Sequence, residues 1–252
     1  MIGFFPDLLV EVTARRCPPE RVHTVVLWSK YPEPLLKTAA VRSCLEKYDQ
    51  VFLHFTITGM GGTRLEPGIP STDEAIGWIP DLVRFLGDPS RLRIRFDPVV
   101  HLVLPDGSRF TNLDAFRPVA EAARTAGVRE LVTSWMQAYP KVKRRLARHG
   151  IAVLDLTEKE RVEERVRLSQ TAEAVGVKLV GCCTDGLPGN ACIDGRLLSA
   201  LHPQRAFASD RKAKGQRPLC GCTESWDIGW YATCPGGCLY CYANPADAGP
   251  SA

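Results

Sequence analysis

Apolar and β-branched residues along the chain gather in short runs, separated by longer amphipathic stretches. Five runs, VHTVVLW (22–28), VFLHFTIT (51–58), LRIRFDPVV (92–100), ELVTSWM (130–136) and VKLVGCC (177–183), have the length and composition of buried strands. A weaker run, LLVEVTA (8–14), is read as a first strand and brings the number to six. Helical periodicity fills the intervals at 33–48, 71–87, 112–127 and 158–176. The second of these opens on Ser71-Thr72-Asp73-Glu74, a capping signature, and the fourth closes on Gly176. Strands alternating with helices predict βα units and a parallel sheet. The expected fold is therefore of the α/β class: a partial, six-stranded (β/α) TIM-like barrel over residues 1–207. A cysteine-rich, cluster-binding extension over 208–252 is expected to pack on the barrel mouth, approached through the basic stretch ASDRKAKGQRP (208–218). No G-x-G-x-x-G follows any strand, so a dinucleotide-binding fold has no support.

Composition narrows the class. The chain has 252 residues and 45% hydrophobic content, enough to bury a substantial core. It has no apolar run of about eighteen residues, and MIGFFPDLLVEV lacks the positive start of a signal peptide. A soluble, cytoplasmic protein with no membrane partner is expected. The net charge of +4 is mild. The most basic run, KVKRRLARHG (141–150), has helical spacing through Val142 and Leu146 and no interleaved aromatics, so it is read as a solvated helix face rather than a nucleic-acid site.

In a parallel barrel the active site forms at the carboxyl ends of the strands. The residues there are Ser29 and Lys30; Thr56, Thr58 and Gly59; Arg95 and Asp97; Ser134 and Gln137; and Cys182, Cys183 and Asp185. Arg95 and Asp97 share one strand face, which makes them either a structural ion pair or a ligand-binding pair. His54 and His101 are read as satisfied core or surface residues, not ligands.

The cysteines alter the picture most. Of ten, Cys182, Cys183, Cys192, Cys220, Cys222, Cys234, Cys238 and Cys241 lie in the last third, a distribution that points to metal or redox chemistry rather than disulfides. Cys234, Cys238 and Cys241 stand at C-x3-C-x2-C in TCPGGCLYCY. Sulfur-only ligation suits zinc or an iron–sulfur cluster. The spacing lacks the paired C-x2-C knuckles of a zinc ribbon and favours iron–sulfur. Three thiolates on a [4Fe–4S] cluster leave one iron open.

The motif, with Tyr240 just before the third cysteine, resembles that of the radical S-adenosylmethionine (SAM) superfamily, and its TCPGGCLYCY form is similar to the spore photoproduct lyase branch. The resemblance implies a cluster on Cys234, Cys238 and Cys241 whose open iron chelates SAM, and whose electron cleaves it to a hydrogen-abstracting 5′-deoxyadenosyl radical. A second resemblance spans most of the chain. LWSKYPEPLL, FTITG followed by LEPGIP, RFDPVV, the CID of residues 192–194 and KGQRPLCGCTESWDIGWYATCPGGCLYCYAN occur in the order found in the DUF1848 family, whose function is undefined. Matched segments at strand ends make Thr56, Thr58, Arg95 and Asp97, with Tyr240, the expected cofactor-binding residues. Cys183, Cys192, Cys220 and Cys222 match further family cysteines and imply a second [4Fe–4S] cluster or a zinc site, with Cys182 an adjacent alternative to Cys183.

Together these resemblances imply a radical SAM-type enzyme acting on a small molecule or peptide, with a nucleic-acid lesion also conceivable. An electron donor such as flavodoxin or ferredoxin would serve it. A non-catalytic iron–sulfur protein for electron transfer, or a structural zinc protein, is the alternative. Because the cluster motif comes last, ESWDIGWYATC (224–234) is expected to take the place of an initial strand and deliver the cluster loop to the carboxyl ends of the strands.

Overall fold

The computed structural model describes residues 2–189, 191–229 and 234–243. The expected strand at 8–14 is instead part of helix α1 (Pro6–Arg16). Pro6 at the start of the first turn with Asp7 beside it, and Arg15 and Arg16 in the last, complement the helix dipole. Its buried residues, Leu9 and Thr13, lie one turn apart on a single face. The short run LLVEV fits either period, and the flanking residues decide for the helix.

The remaining strands appear as expected: β1 (Val25–Ser29), β2 (Val51–Thr56) and β3 (Leu92–Val99). Two short strands, β4 (His101–Val103) and β5 (Arg109–Thr111), follow, and then β6 (Glu130–Trp135). A two-residue strand, β7 (Ala152–Val153), precedes β8 (Lys178–Gly181). The helices after α1 are α2 (Glu33–Lys37), α3 (Ala39–Leu45), α4 (Thr72–Leu86), α5 (Phe116–Thr125), α6 (Pro140–Arg148), α7 (Glu158–Val175) and α8 (Gly195–Leu201).

Strands β1, β2, β3, β6 and β8 form one sheet in that order, with every neighbouring pair parallel. The sheet is open. It has five strands rather than six, and among the described residues it does not close into the expected barrel, because the segment assigned to the missing strand is helical. A separate antiparallel sheet, ordered β5–β4–β7, was not anticipated, since strands of two and three residues carry no readable alternation. Of the terminal segment 224–234, expected to act as a strand, residues 230–233 lie outside the described residues.

Period-two alternation gives the large sheet two different faces. Leu53, Phe55, Leu92, Ile94, Phe96, Leu131 and Leu179 point into a core shared with Ile79 and Leu82 of α4, Val119 of α5 and Leu168 of α7. The intervening residues of β2 and β3 are Phe52, His54, Arg93 and Arg95, all buried. This polar second face is covered by the chain after β8. His54 Nε2 donates to the Cys192 carbonyl at 2.7 Å, and Arg93 Nη1 donates to the Ala191 carbonyl at 2.8 Å. The β3–β6 register runs Ile94↔Leu131, Arg95↔Val132 and Phe96↔Thr133, then slips before Val99↔Trp135. Asp97 lies within that slip.

Candidate functional site

Two groups of cysteines sit at the carboxyl end of the parallel sheet. The first belongs to the C-terminal loop. Cys238, Leu239 and Tyr240 are buried in a second apolar cluster with Met60, Leu65 and Ile69 of the β2–α4 connection and Val142 and Leu146 of α6. Leu239 N–H donates to the Leu65 carbonyl at 2.9 Å, and Gly68 N–H to the Gly236 carbonyl at 3.2 Å. The approach needs glycine on both sides. A Cβ at Gly68 would stand 2.7 Å from the Pro235 carbonyl oxygen, and one at Gly236 would stand 2.9 Å from Ile69 Cδ1 and 3.4 Å from Cys234 Sγ. From α6, Arg145 Nη1 donates to the carbonyls of Leu239 at 3.1 Å and Cys241 at 2.7 Å, while Nη2 reaches that of Ala243 at 3.2 Å. The basic helix is thus solvated on most positions but clamps the loop through this one arginine.

Beside Cys238 lies a buried polar cluster. Lys30, one residue beyond β1, places Nζ 2.6 Å from Glu66 Oε1, 3.9 Å from Cys238 Sγ and 4.7 Å from the Tyr240 ring centre. The Tyr240 hydroxyl is hydrogen-bonded to both Lys30 and Glu66. Thr58 Oγ1 donates to Glu66 Oε1 at 2.8 Å, whereas the buried Glu66 Oε2 has no hydrogen-bond partner among the described residues. Burial works against the Lys30 charge, but the Glu66 carboxylate and then Cys238 outweigh it and hold the ammonium above its usual pKa. Burial pushes the Cys238 thiol up to about 11 despite the opposing pull of Lys30. Cys241 and then Cys234 add smaller upward pushes. Thr56 lines the small cleft behind this cluster with Lys30, Thr58 and Glu66.

The second group lies on the polar face of the sheet. Cys182 and Cys192 approach to 4.0 Å between sulfurs. The Cys192 N–H donates to Cys222 Sγ at 3.2 Å. Cys183, in the segment after β8, has φ 52°, a left-handed conformation uncommon outside glycine. Its hydrogen bond with Cys192 and then burial push the Cys182 thiol well above the ordinary value, while the hydrogen bond from Cys192 holds Cys222 below it. As the side chains stand, no three His, Cys, Asp or Glu groups among the described residues converge with ligand geometry. The sulfurs neighbour one another in pairs.

Arg95 joins this second group rather than the first. Its guanidinium pairs with Asp97 and donates from Nη1 to Cys192 Sγ at 3.1 Å. Ser134 binds the other Asp97 oxygen. The expected cofactor residues therefore divide: Tyr240, Thr56 and Thr58 lie with Lys30 and Glu66, while Arg95 and Asp97 lie with the upstream cysteines. Burial and then Cys241 and Asp97 raise the Tyr242 phenol. His54 is buried, stacked on Trp28 at 4.8 Å, and is no candidate ligand as oriented. His101 is paired with Glu164 at 3.0 Å in a cleft of about 390 Å³, which contains none of the cysteines.

Sequence reasoning placed Lys30 at a strand end without a role, and missed Glu66 and Arg145. Glu66 sits in LEPGIP, where a loop glutamate between turn residues gives no signal of burial.

These features define an α/β protein with two groups of cysteines at one end of a parallel sheet. The chain belongs to the DUF1848 family, a domain of unknown function, whose family model matches residues 8–243. No curated protein and no solved structure matches it.

Proposed function

We propose that the protein is an iron–sulfur enzyme of radical SAM type, with Cys234, Cys238 and Cys241 holding a [4Fe–4S] cluster. The observation that carries this reading is the position of the C-terminal loop. Although last in sequence, it lies against the residues that follow β1 and β2, at the end of the sheet where α/β proteins bind their ligands. The five strands in sequential order support a barrel-like arrangement left open on one side.

The donor set fits the group. It is soft and all-sulfur, it lies beside a cation, and a pair of glycines lets the loop pack closely. When bound, a [4Fe–4S] cluster on three cysteines supplies an open iron and an electron for the reductive cleavage of SAM. The chain's own residues do the rest. Lys30 offsets the negative charge of the thiolates, and Glu66, held by Thr58, fixes both Lys30 and the Tyr240 hydroxyl. Arg145 fixes the loop through its carbonyls. Thr56 and Thr58 face the cleft beside the cluster, and Arg95 and Asp97 supply a charged pair toward the second cysteine group. The substrate is a small molecule or peptide, and the electron donor a flavodoxin or ferredoxin in the cytoplasm.

Anaerobic iron and sulfide analysis, followed by EPR of the reduced protein with and without SAM, tests this. About four irons per chain, lost in Cys238→Ala, with a spectrum altered by SAM, is the expected result. An iron–sulfur signal indifferent to SAM would leave an electron-transfer protein, and no iron at all would remove both readings.

A further inference from the structure

Cys182 and Cys192 play no part in the cluster proposed on the C-terminal loop. We propose that they form a redox-active dithiol, which a small-molecule disulfide oxidises reversibly to an internal disulfide tying the turn after β8 to the chain that enters α8. This goes beyond the radical SAM reading and does not depend on it.

Three observations carry the proposal. The first is that the fold holds two sulfurs from separate stretches 4.0 Å apart. A disulfide bond is about 2.05 Å long, so closing it takes about 2 Å of sulfur movement. The backbone beneath both is pinned. The Cys182 N–H donates to the Thr133 carbonyl of β6 at 2.8 Å, and the Cys192 carbonyl accepts from His54 of β2 at 2.7 Å. Between them the chain turns back on itself through Gly186 at φ 74°, and Gly181 N–H closes the turn by donating to the Pro188 carbonyl at 2.8 Å. The sheet itself therefore sets the pairing.

The second is the charge placed beside the sulfurs. Arg95 Nη1 stands 3.1 Å from Cys192 Sγ and Arg217 Nη2 stands 3.8 Å from Cys182 Sγ. A guanidinium favours the thiolate, which is the form that attacks a disulfide. Arg95 is buried in β3 and held by Asp97, so its place beside Cys192 is fixed, and the first attack is assigned to Cys192. At Cys192 the hydrogen bond from Cys182 lowers the thiol, while that with Cys222 and then burial raise it, leaving it above the ordinary value. The pair therefore rests as a dithiol and is oxidised slowly at neutral pH.

The third is access. Cys182 and Cys192 are half-buried rather than enclosed, which suits a small disulfide such as oxidised glutathione. The Cys192 thiolate attacks one sulfur of that disulfide, forms a mixed disulfide and expels a glutathione thiolate, which takes up the proton that Cys192 gave up. Cys182 then releases its proton, attacks Cys192 Sγ and expels the second glutathione as a thiol. Two protein thiols and one glutathione disulfide thus become one protein disulfide and two reduced glutathiones, and no further oxidant enters. Where glutathione keeps thiols reduced, such bonds are transient and redox-sensing rather than structural. The bond closes the segment whose Ala191 and Cys192 carbonyls cover Arg93 and His54, and it takes the Cys192 sulfur out of the thiolate form that Arg95 favours.

The test is anaerobic incubation of the reduced, full-length protein with glutathione disulfide, followed by alkylation and peptide mapping by mass spectrometry. The expected result is the loss of two of the ten cysteine thiols, with Cys182 and Cys192 joined and both thiols regained in excess reduced glutathione. Cys182→Ser is expected to stop at a glutathione adduct on Cys192, whereas Cys183→Ser should form the bond as the wild type does. Should Cys182→Ser fail to fold, the maps of the wild type and of Cys183→Ser decide. Cys182 and Cys192 both left as thiols in a large excess of glutathione disulfide would overturn the proposal. So would a bond from Cys192 to Cys183 or Cys222, or a bound metal that is lost in Cys192→Ser.

Discussion

At the scale of residues, the buried pair of Lys30 and Glu66 is the feature on which the candidate site turns. Glu66 is 1% exposed and Lys30 is 22% exposed, so each depends on the other and on Tyr240 for compensation. Removing one partner of such a pair leaves an uncompensated charge. Lys30→Met is therefore expected to destabilise the protein by about 3 kcal/mol, toward the low end of the range for buried pairs because the ammonium is partly solvated. Urea unfolding checks it, and Lys30→Met combined with Glu66→Leu should recover part of the loss. His202 offers a second prediction. It is buried against His23, at 4.4 Å between ring centres, with Asp49 at 3.9 Å and Arg91 nearby. Burial and then His23 lower its pKa below the ordinary histidine value. The unfolded chain therefore takes up this proton more readily than the folded one, and stability is lost as pH falls through about 6.5 toward the lower folded value. Thermal melts between pH 8 and pH 5 should show that loss, and His202→Gln should flatten it.

At the scale of elements, helix α4 holds the connection that bears Glu66. Ser71 Oγ accepts from the Glu74 N–H at 3.3 Å, and the Glu74 carboxylate accepts from the Ser71 N–H at 2.9 Å. This capping box was legible in the sequence, and Ser71→Ala is expected to cost about 1 kcal/mol in unfolding free energy. The five long strands were equally legible, since each lies in an apolar run between turn signals and spans four to eight residues. The run at 8–14 was not, because Leu8, Leu9 and Val10 are compatible with both periods and the burial that separates them, Leu9 with Thr13, comes from packing on α3. The cysteine sites divide in the same way. Cys234, Cys238 and Cys241 are close in sequence, so their spacing states their proximity. Cys183, Cys192, Cys220 and Cys222 were expected together from family positions and Arg95 as a cofactor residue, whereas the approach of Cys182 to Cys192 and of Arg95 and Arg217 to these sulfurs comes from the fold. Glu66 and Arg145 gained their places from tertiary packing alone.

At the scale of the whole molecule, one end of an open parallel sheet gathers both cysteine groups, the Lys30–Glu66–Tyr240 cluster and the Arg95–Asp97 pair. No helix among the described residues is long and apolar enough to cross a membrane. The organisation places the last segment of the chain over the first two strands, so that the terminal motif meets residues laid down near the beginning. The central claim is that this arrangement serves reductive cleavage of SAM. The measurement that tests it most directly is formation of 5′-deoxyadenosine when the anaerobically reconstituted, reduced protein is incubated with SAM. Formation that requires reductant and is abolished in Cys238→Ala is the predicted result. A fully loaded cluster that yields none of it, with SAM recovered intact, would contradict the account.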